Sequence, residues 1–566
     1  MSFSKLRGDA YYLRMASRAQ TGAELRDEAT GARESVVDVI AAAIVQAGVE
    51  IAFTFPGGGS NLALLDGLRR RGVRTVLTRS EVGGGLMAAT IADITGTPGV
   101  LIVGLGPGAA SAMNAVSHAW LDRSPLLLLA DRYAEADADT TGHQLLDQRA
   151  MYSPVTKAQV DAAPADVAEA MPRAIAVSLE PPRGPVLVEI RRDRAGQPSR
   201  PRTTGPALSV SGAPTGDVPG AARTLARARR PVLLVGEEAR RDLDPSLIVA
   251  LAESLSSPVL TTYKAKGVFP ERHPLAAGIL TGAEIERPLL SEADVLLGIG
   301  LDPVELLARP WPYAARFIAV RRRPVADPYL SPGHALAGRL DTVLERLQSA
   351  LEAPHSDWVG ADVARWASTM VQPLKAGGTP LSAWRTVEVA QELAGDAIVT
   401  VDAGAHMFAV TWCWRSERPN RFHISNGLAT MGYAVPAAIG CALAHPDELV
   451  IAFTGDGGFT INAAELETAA RAGAKIVVVV LNDASLSLIR VKQDESGLRR
   501  SDVDFLRSDF AAVAEGLGVR GVRASTEAEL RAALEEAIRT PRSTVVDVAI
   551  DGTEYAELHR RIRSGS

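Results

Sequence analysis

The chain has 566 residues, of which 60 are basic and 66 acidic, so its formal net charge at pH 7 is -6. Domains of roughly 100–200 residues are usual, so this length exceeds one hydrophobic core and predicts three units. Hydrophobic residues make up 47% and charged residues 22%, which excludes wholesale disorder and a fibrous protein. The nearly balanced charge provides no strong attraction for nucleic acid or anionic lipid, so we expect neither as a partner.

Cysteine content and apolar runs bear on the compartment. Cys413 and Cys441 are the two cysteines. They are too few for a disulfide framework or a four-thiolate metal site, and we expect both to be apolar packing residues. No run of about 20 apolar residues could span a bilayer, so no membrane association is predicted. These features favour a cytoplasmic location.

The first predicted domain covers residues 34–195, after an N-terminal arm at 1–33 that lacks helical periodicity. SVVDVIAAAIVQAG predicts a helix, and EIAFTF, VRTVL, GVLIVGL, PLLLLA and GPVLVEI predict strands. Strands that are apolar on both faces and separated by helices indicate a parallel sheet covered on both sides.

Two further α/β domains follow. A linker rich in Pro, Ser, Gly and Arg is predicted at 196–217, and the central domain at 218–350 contains the strands PVLLVG, SPVLTT, ADVLLGIG and RFIAV. A second linker is predicted at 351–381. The third domain at 382–552 contains AIVTVD, LVIAFTG, KIVVVVLN and STVVDVAI, and a charged tail at 553–566 predicts a surface helix. The predicted fold class is therefore α/β, with three parallel-sheet domains.

Two acidic side chains follow two predicted strands of the third domain. One strand ends in TGDGG at 454–458 and the other in NDAS at 482–485. Ligands of open α/β sheets gather at the carboxyl ends of strands, so the two segments can converge on one crevice. Carboxylate and carbonyl oxygens suit Mg²⁺, and glycines allow a diphosphate to approach the backbone. Gly-Asp-Gly alone would more often be a tight turn, but the second acidic strand end favours a metal-held diphosphate.

These segments resemble the signature of thiamine-diphosphate (ThDP) enzymes, in which Gly-Asp-Gly is followed after a fixed interval by Asn-Asn. The resemblance runs from about residue 34 to 551 and is to the acetolactate-synthase-like group of the pyruvate decarboxylase and benzaldehyde lyase superfamily. It implies pyrimidine-binding, central and diphosphate-binding domains. It also implies that Asp456, Asp483 and the backbone carbonyl of Ser485 bind Mg²⁺, with Asp483 replacing the second asparagine of the signature.

A glutamate in the first domain is the candidate activator of the cofactor. The segments RSEV at 79–82, MAA at 87–89 and TGTPGV at 95–100 resemble the family region that holds it. By this resemblance, the carboxylate of Glu81 would bind the pyrimidine N1′ and favour the imino tautomer that deprotonates the thiazolium C2. Considered alone, a glutamate at this place would more often cap a helix or lie in solvent.

The resemblance implies further cofactor contacts in the third domain. SNGLATMG at 425–432 resembles the segment that bends the cofactor, with Met431 between the two rings and the Ala429 carbonyl accepting from the 4′-amino group. His406 would donate to the diphosphate, although isolated histidines and methionines are usually structural. The remaining predicted cofactor-binding positions are Gly404, Ala405, Gly455, Gly457, Gly458, Asp483 and Ile489.

Three features concern the substrate. His143 and Gln144 align by resemblance with a polar segment that reaches the reacting centre, where either could orient a carbonyl or transfer a proton; a polar loop without a catalytic role is the alternative. Ile489 stands where decarboxylases of the pyruvate type carry a proton-donating glutamate, which favours attack on a second carbonyl. GLDP at 300–303 replaces an expected arginine-rich turn, so FAD is not predicted.

The resulting hypothesis is a ThDP- and Mg²⁺-dependent 2-oxoacid decarboxylase or carboligase that forms carbon–carbon bonds through an enamine. Its partners would be a small 2-oxoacid and a carbonyl acceptor. The family implies a homodimer or homotetramer with active sites at the subunit interface. One alternative is a lyase that cleaves 2-hydroxy ketones or 2-hydroxyacyl-CoA, and another is a non-catalytic subunit. A plain nucleotide-binding protein is disfavoured, because neither a Walker loop nor a Gly-x-Gly-x-x-Gly fingerprint stands out.

Overall fold

The computed structural model describes residues 34–138, 140–199, 214–306, 311–324, 331–352, 356–371 and 381–564. The predicted arm at 1–33 lies outside these residues, as do most of the linker predicted at 196–217 and part of that at 351–381. By its contacts the chain divides into two compact units, Met1–Ser209 and Val210–Ser566. The predicted domain boundaries stay predictions.

The first unit contains a six-stranded parallel sheet of order β2-β1-β3-β4-β6-β5. Its central strands are buried on both faces because helices cover both. The strands are β1 (Ile51–Phe55), β2 (Arg74–Leu77), β3 (Gly99–Val103), β4 (Leu126–Arg132), β5 (Ala158–Asp161) and β6 (Val186–Arg191). The helices are α1 (Val36–Gln46), α2 (Asn61–Arg70), α3 (Glu81–Thr95), α4 (Pro107–Ser111), α5 (Met113–Leu121), α6 (Glu135–Ala138), α7 (Gln148–Tyr152) and α8 (Val167–Leu179).

The second unit begins with the central sheet, of order β12-β11-β10-β7-β8-β9 and again parallel. Its strands are β7 (Pro231–Val235), β8 (Val259–Thr261), β9 (Ala276–Ile279), β10 (Val295–Ile299), β11 (Arg316–Arg321) and β12 (His334–Ala337). The helices are α9 (Val218–Ala226), α10 (Ala239–Asp242), α11 (Pro245–Ser254), α12 (Arg287–Glu292) and α13 (Leu340–Ser349), with a short 3₁₀ turn at Pro303–Glu305.

The third sheet has the order β14-β13-β15-β16-β18-β17 and is also parallel. Its strands are β13 (Ile398–Val401), β14 (Phe422–Ile424), β15 (Val450–Gly455), β16 (Val477–Asn482), β17 (Arg520–Ala524) and β18 (Thr544–Ala549). The helices from the second linker onward are α14 (Gly360–Val371), α15 (Ala383–Ala394), α16 (His406–Cys413), α17 (Ala434–Ala444), α18 (Asp456–Asn462), α19 (Glu465–Ala472), α20 (Ser487–Glu495), α21 (Phe510–Gly516), α22 (Glu527–Arg539) and α23 (Glu554–Ser564).

Apolar packing unites the central and third sheets. A single cluster of buried side chains extends from Val232 in β7 to Val546 in β18. The other face of the central sheet has its own core, which includes Leu233 and Ile318. Burial of such side chains contributes about 25 cal/mol per Å² of apolar surface removed from water, so the shared core holds these two domains together as one unit.

The predicted fold class is confirmed: three parallel six-stranded sheets with interleaved helices form three α/β domains. Two segments have more structure than their sequence indicated. The segment at 351–381, predicted as a linker, contains α14, which packs against β9. The C-terminal tail forms α23, whose Tyr555, Leu558 and Ile562 are buried. Among the described residues, no helix is long and apolar enough to cross a membrane, and the cytoplasmic location stays a prediction.

Candidate active site

The carboxyl ends of three neighbouring strands in the third sheet each carry an aspartate. Asp402 follows β13, Asp456 follows β15 and Asp483 follows β16. β15 and β16 pair in parallel with Gly455 opposite Leu481, so the two predicted metal-binding aspartates emerge on the same edge of the sheet. The topology therefore brings together side chains that are 27 residues or more apart in sequence.

Asp456 is 6% exposed, and the backbone orients its carboxylate. Its Oδ1 accepts from the Gly457 N–H at 2.6 Å, and its Oδ2 accepts from the Ser485 N–H at 3.2 Å. Burial, followed by the negative charge of Asp483, raises the pKa of the Asp456 carboxyl to about 6. The Asp483 carboxylate is thus close enough to disfavour ionisation of Asp456 in the absence of a cation.

Asp483 is partly buried, and burial raises the pKa of its carboxyl. Its Oδ2 accepts from the Ser487 hydroxyl. This hydrogen bond and the positive charge of Arg490 partly offset the rise in the pKa of Asp483. Arg490 Nη2 also donates to the Gly552 carbonyl at 2.9 Å, and a Cβ at position 552 would overlap with the Asp483 carboxylate. The chain around Gly552 therefore confines Asp483 from one side.

These oxygen donors fit Mg²⁺. Among the described residues, no group of three or more His, Cys, Asp and Glu side chains is arranged to hold a metal. A site here would use the two carboxylates of Asp456 and Asp483 with a main-chain oxygen, and would leave coordination positions for phosphate. A divalent cation would also relieve the repulsion between the two carboxylates.

Ser485, the third predicted metal-binding position, is fixed by a short segment from residue 503 to residue 508. The Ser485 Oγ donates to the Val503 carbonyl and contacts Asp504 Oδ1, both at 3.1 Å. The backbones also pair, since the Leu486 N–H donates to Val503 at 2.7 Å and the Phe505 N–H donates to Ala484 at 2.8 Å. The segment 503–508 was not foreseen from the sequence, and it restrains the loop that contains Asp483.

His406, in the turn with Gly404 and Ala405, is 4% exposed and lies against Gly404 and Gly455. Burial lowers the pKa of its imidazole to about 4, and a hydrogen bond to the main chain of Asp402 opposes this shift. Within the described residues its Nε2 has no hydrogen-bond partner. A buried polar atom without a partner costs free energy, and a phosphate oxygen bound here would supply the missing partner while favouring the protonated ring.

Met431 lies in a tight turn near the Gly-Asp-Gly segment. Ala429 and Gly432 have positive φ values of 55° and 81°, and the Met431 side chain remains 36% exposed. Gly457 is surrounded by the side chains of Met431, Leu486 and Phe505. Ile489, on the first turn of α20, is 44% exposed. The third domain therefore presents apolar side chains beside its acidic strand ends.

Asp402 was not among the predicted site residues, although it follows the apolar run AIVTV as Asp456 follows LVIAFTG. It is 1% exposed. Its Oδ1 accepts from the N–H groups of Tyr433 and Ala403, and its Oδ2 accepts from the Thr454 hydroxyl. A Cβ at position 458 would overlap with this carboxylate, so Gly458 is required by space. A polar residue at a strand end was the signal that could have identified Asp402.

In the first unit, Glu81 is the first residue of α3 and is 9% exposed. The Ser80 side chain caps the helix by accepting from the Gly83 N–H at 2.9 Å. A Cβ at Gly108 would lie 3.2 Å from Glu81 Oε1. Burial, followed by the charge of Glu81, raises the pKa of the Tyr152 hydroxyl, which donates to the Ala109 carbonyl. Glu81 is thus a buried side chain that packs closely against Gly108.

His143 and Gln144 lie in an exposed loop of the same unit. The His143 carbonyl accepts from the Tyr133 hydroxyl at 2.9 Å, and Gln144 has a positive φ of 56°. Positive φ is uncommon for a residue other than glycine, and the close packing of Gly106 against the Gln144 backbone fixes this conformation. Their predicted catalytic role stays a prediction.

Known proteins are similar to this chain over most of its length. Models of the thiamine pyrophosphate enzyme N-terminal TPP binding domain, central domain and C-terminal TPP binding domain match residues 34–151, 218–347 and 402–548. The chain is 29% identical to an acetolactate synthase of Bacillus subtilis, over 93% of this chain and 94% of the relative.

Two other relatives are similar over most of their length. Acetolactate synthase isozyme 1 large subunit of Escherichia coli is 30% identical, over 90% of this chain and 92% of the relative. A probable 2-ketoarginine decarboxylase of Pseudomonas aeruginosa is 32% identical, over 83% of this chain and 86% of the relative. The chain belongs to the thiamine pyrophosphate enzyme family, as an acetolactate-synthase-like, ThDP-dependent enzyme of the carboligase and decarboxylase type.

Proposed function

We propose that this enzyme is a Mg²⁺- and ThDP-dependent 2-oxoacid decarboxylase that also joins the resulting acyl unit to a carbonyl acceptor. The observation that carries the proposal is the pair of carboxylates at adjacent strand ends, Asp456, which is buried, and Asp483, which is partly buried, followed along the chain by an exposed apolar Ile489. When bound, ThDP would supply an acidic carbon that adds to carbonyl groups and a cationic ring that takes up the electron pair left behind when carbon dioxide departs.

The third domain binds the charged part of the cofactor. Asp456 and Asp483 hold Mg²⁺ together with the Ser485 carbonyl, while the turn at Gly455, Gly457 and Gly458 admits the diphosphate. His406, in the turn with Gly404 and Ala405, donates to a phosphate oxygen. The carboxylates thus act through the metal, whose positive charge offsets the negative charges of the carboxylates and of the diphosphate.

Glu81 binds the pyrimidine ring and promotes loss of the reactive C2 proton. Replacement by glutamine, Glu81→Gln, should preserve most cofactor binding but slow C2 hydrogen–deuterium exchange by about 10²- to 10⁴-fold, the usual range for acid–base catalysis. Acid quench and NMR of the bound cofactor measure this exchange without any substrate. Equal exchange rates in the variant and the parent, at equal occupancy, would transfer the activating role to another residue.

The substrate side combines polar and apolar groups. Met431 would support the cofactor and the Ala429 carbonyl would accept from its 4′-amino group, while His143 and Gln144 would orient the carbonyl of the substrate or transfer its proton. Ile489 provides no proton donor at its position, so the acyl unit is retained for attack on a second carbonyl. The names of the relatives, acetolactate synthases and a probable 2-ketoarginine decarboxylase, support a 2-oxoacid as the donor.

The proposed assembly is a homodimer or homotetramer. In such an assembly, Glu81 in the first domain of one subunit and the metal-binding aspartates in the third domain of another would serve the same cofactor. Analytical ultracentrifugation at the concentration of the activity assay tests this directly. A monomer that retains full turnover would contradict it.

A panel of 2-oxoacids, with and without aldehyde acceptors, and of 2-hydroxy ketones tests the reaction by mass spectrometry. We expect carbon dioxide release and a ligated hydroxy ketone when an acceptor is present. Cleavage of 2-hydroxy ketones without carbon dioxide would indicate a lyase. A protein with full ThDP and Mg²⁺ occupancy that consumes no donor would indicate a non-catalytic subunit. Each outcome selects one of the three functions.

A further inference from the structure

Asp402 connects three parts of the candidate cofactor site through one buried side chain. Its Oδ1 accepts at 3.0 Å from the N–H of Tyr433, a residue two positions after Met431. Its Oδ2 accepts at 2.9 Å from the hydroxyl of Thr454, a residue two positions before Asp456. The main chain of Asp402 forms a hydrogen bond with the ring of His406. One residue therefore contacts the neighbours of three predicted cofactor-binding positions.

The Asp402 side chain also fixes the shape of the Met431 turn. The Gly432 N–H forms a further hydrogen bond with the carboxylate, and Gly432 has a φ of 81°, in the region that favours glycine. The Gly432 carbonyl accepts from Asn462 Nδ2 at 2.7 Å, so α18 holds the turn from the other side. Hydrogen bonds to an ionised group are stronger than neutral ones, which makes a carboxylate suited to this task.

We propose that Asp402 is a positioning residue, whose carboxylate sets the Met431 turn and the Gly455–Gly458 segment at the separation that the bent, metal-bound cofactor requires. This role rests on the proposed cofactor site. Asp402 acts through Tyr433, Thr454 and the backbone of the turn.

The variant Asp402→Asn keeps the volume and retains one carbonyl oxygen for the backbone N–H groups. It replaces the oxygen that faces Thr454 with an amide and removes the charge. Thr454→Val removes the hydroxyl alone, and Thr454 also contacts the Gly455 carbonyl at 3.0 Å. A matched control is Glu286→Gln in the central domain, since Glu286 is likewise fully buried and accepts from the Thr281 and Ala283 N–H groups.

The first measurement uses the protein without cofactor. Hydrogen–deuterium exchange with mass spectrometry should show the peptide around residues 426–434 exchanging on the order of 10-fold faster in Asp402→Asn than in the parent, because the N–H groups of Gly432 and Tyr433 lose a charged acceptor. Glu286→Gln should leave this peptide unchanged. Unchanged exchange in Asp402→Asn would overturn the proposal at this step.

The second measurement uses the holoenzyme. Titration calorimetry with ThDP and Mg²⁺ should show on the order of 10-fold weaker binding in Asp402→Asn, with a smaller loss in Thr454→Val, and exchange at the cofactor C2 should slow at saturating ThDP. A merely structural role would lower the urea midpoint in both Asp402→Asn and Glu286→Gln without changing C2 exchange, and that result would overturn the proposal. A parent that binds no ThDP would overturn the proposed function together with this inference.

Discussion

The central and third domains have the same sheet architecture, but their strand-end carboxylates are used differently. In the third domain, Asp456 and Asp483 follow adjacent strands, the charge of Asp483 raises the pKa of Asp456, and Asp483 is partly exposed. In the central domain, Glu305 is 5% exposed, and its oxygens accept from the Thr262 hydroxyl and the Glu237 N–H. Both sets accept hydrogen bonds from the chain's own donors, but only the first set includes a carboxylate that is partly open to solvent.

Packing explains the difference. At the ends of β7 and β10, the backbones of Gly236 and Gly300 lie in direct contact, because a Cβ at position 236 would lie 2.5 Å from the Gly300 carbonyl oxygen. Burial, followed by the charge of Glu237, raises the pKa of the Glu305 carboxyl to about 8. The central crevice is thus filled and its acid is stabilised in the neutral form. A shared fold therefore does not imply a shared ligand site.

The largest expected effect separates the two crevices by ligand binding. Asp456→Ala should weaken ThDP binding in the presence of Mg²⁺ by about 100-fold or more, since loss of a metal ligand should cost at least as much as loss of its supporting groups. Glu305→Gln, which keeps an acceptor for Thr262, should leave the affinity unchanged. Titration calorimetry measures both, and equal affinities for ThDP in parent and Asp456→Ala would reject the metal site.

Stability without cofactor should change by different amounts. Glu305→Ala should destabilise the protein by about 2 kcal/mol, because it leaves a buried hydroxyl and a buried N–H without their acceptor. Asp456→Ala also removes the acceptor of the Gly457 and Ser485 N–H groups, but it relieves the repulsion by Asp483, so it should cost about 1 kcal/mol or less. Urea denaturation of both apo variants measures the two losses; an Asp456→Ala variant as unstable as Glu305→Ala would show that this carboxylate is structural.

Stability should also depend on pH through the central domain. Burial raises the pKa of the Glu286 carboxyl to about 7, although the Thr281 and Ala283 N–H groups oppose this shift. The folded state then binds more protons than the unfolded state between about pH 4.5 and 7, so this group's contribution is fully present below that window and is lost as the pH rises through it.

The free energy of unfolding, measured by urea denaturation, should therefore decline less from pH 5 to pH 7 in Glu286→Gln than in the parent, by on the order of 1 kcal/mol. Parent and variant are compared at matched ionic strength. A variant whose stability falls with pH as steeply as that of the parent would assign the dependence to other groups.

The smallest expected effect is that of nucleotides, which should leave the stability of the protein unchanged. ADP or FAD at millimolar concentration should not change the melting temperature, because the contact between Gly236 and Gly300 closes the ends of β7 and β10. ThDP with Mg²⁺ serves as the positive control. A shift with nucleotide alone would show that the central crevice opens.

The strands missed by sequence patterns share one property. β5, β9, β12, β14 and β17 all lie at sheet edges. An edge strand has one neighbour and is partly solvated, so it needs no long apolar run. β5 is half-exposed at every position, and β14 has three residues. The central strands, buried on both faces, were recognised because their sequences are almost wholly apolar.

The sequence by itself determined the α/β class, the positions of the buried strands along the chain and the acidic residues that follow two of them, Asp456 and Asp483, because each depends on residues that are adjacent in the chain. Only the tertiary structure decided which polar groups share a site. The hydrogen bonds of Asp402 with Tyr433 and Thr454 join residues 31 and 52 positions away. The closed crevice around Glu305 likewise depends on contacts with residues 43 and 68 positions away. Such contacts form only when separate strands pair, and no local pattern encodes them.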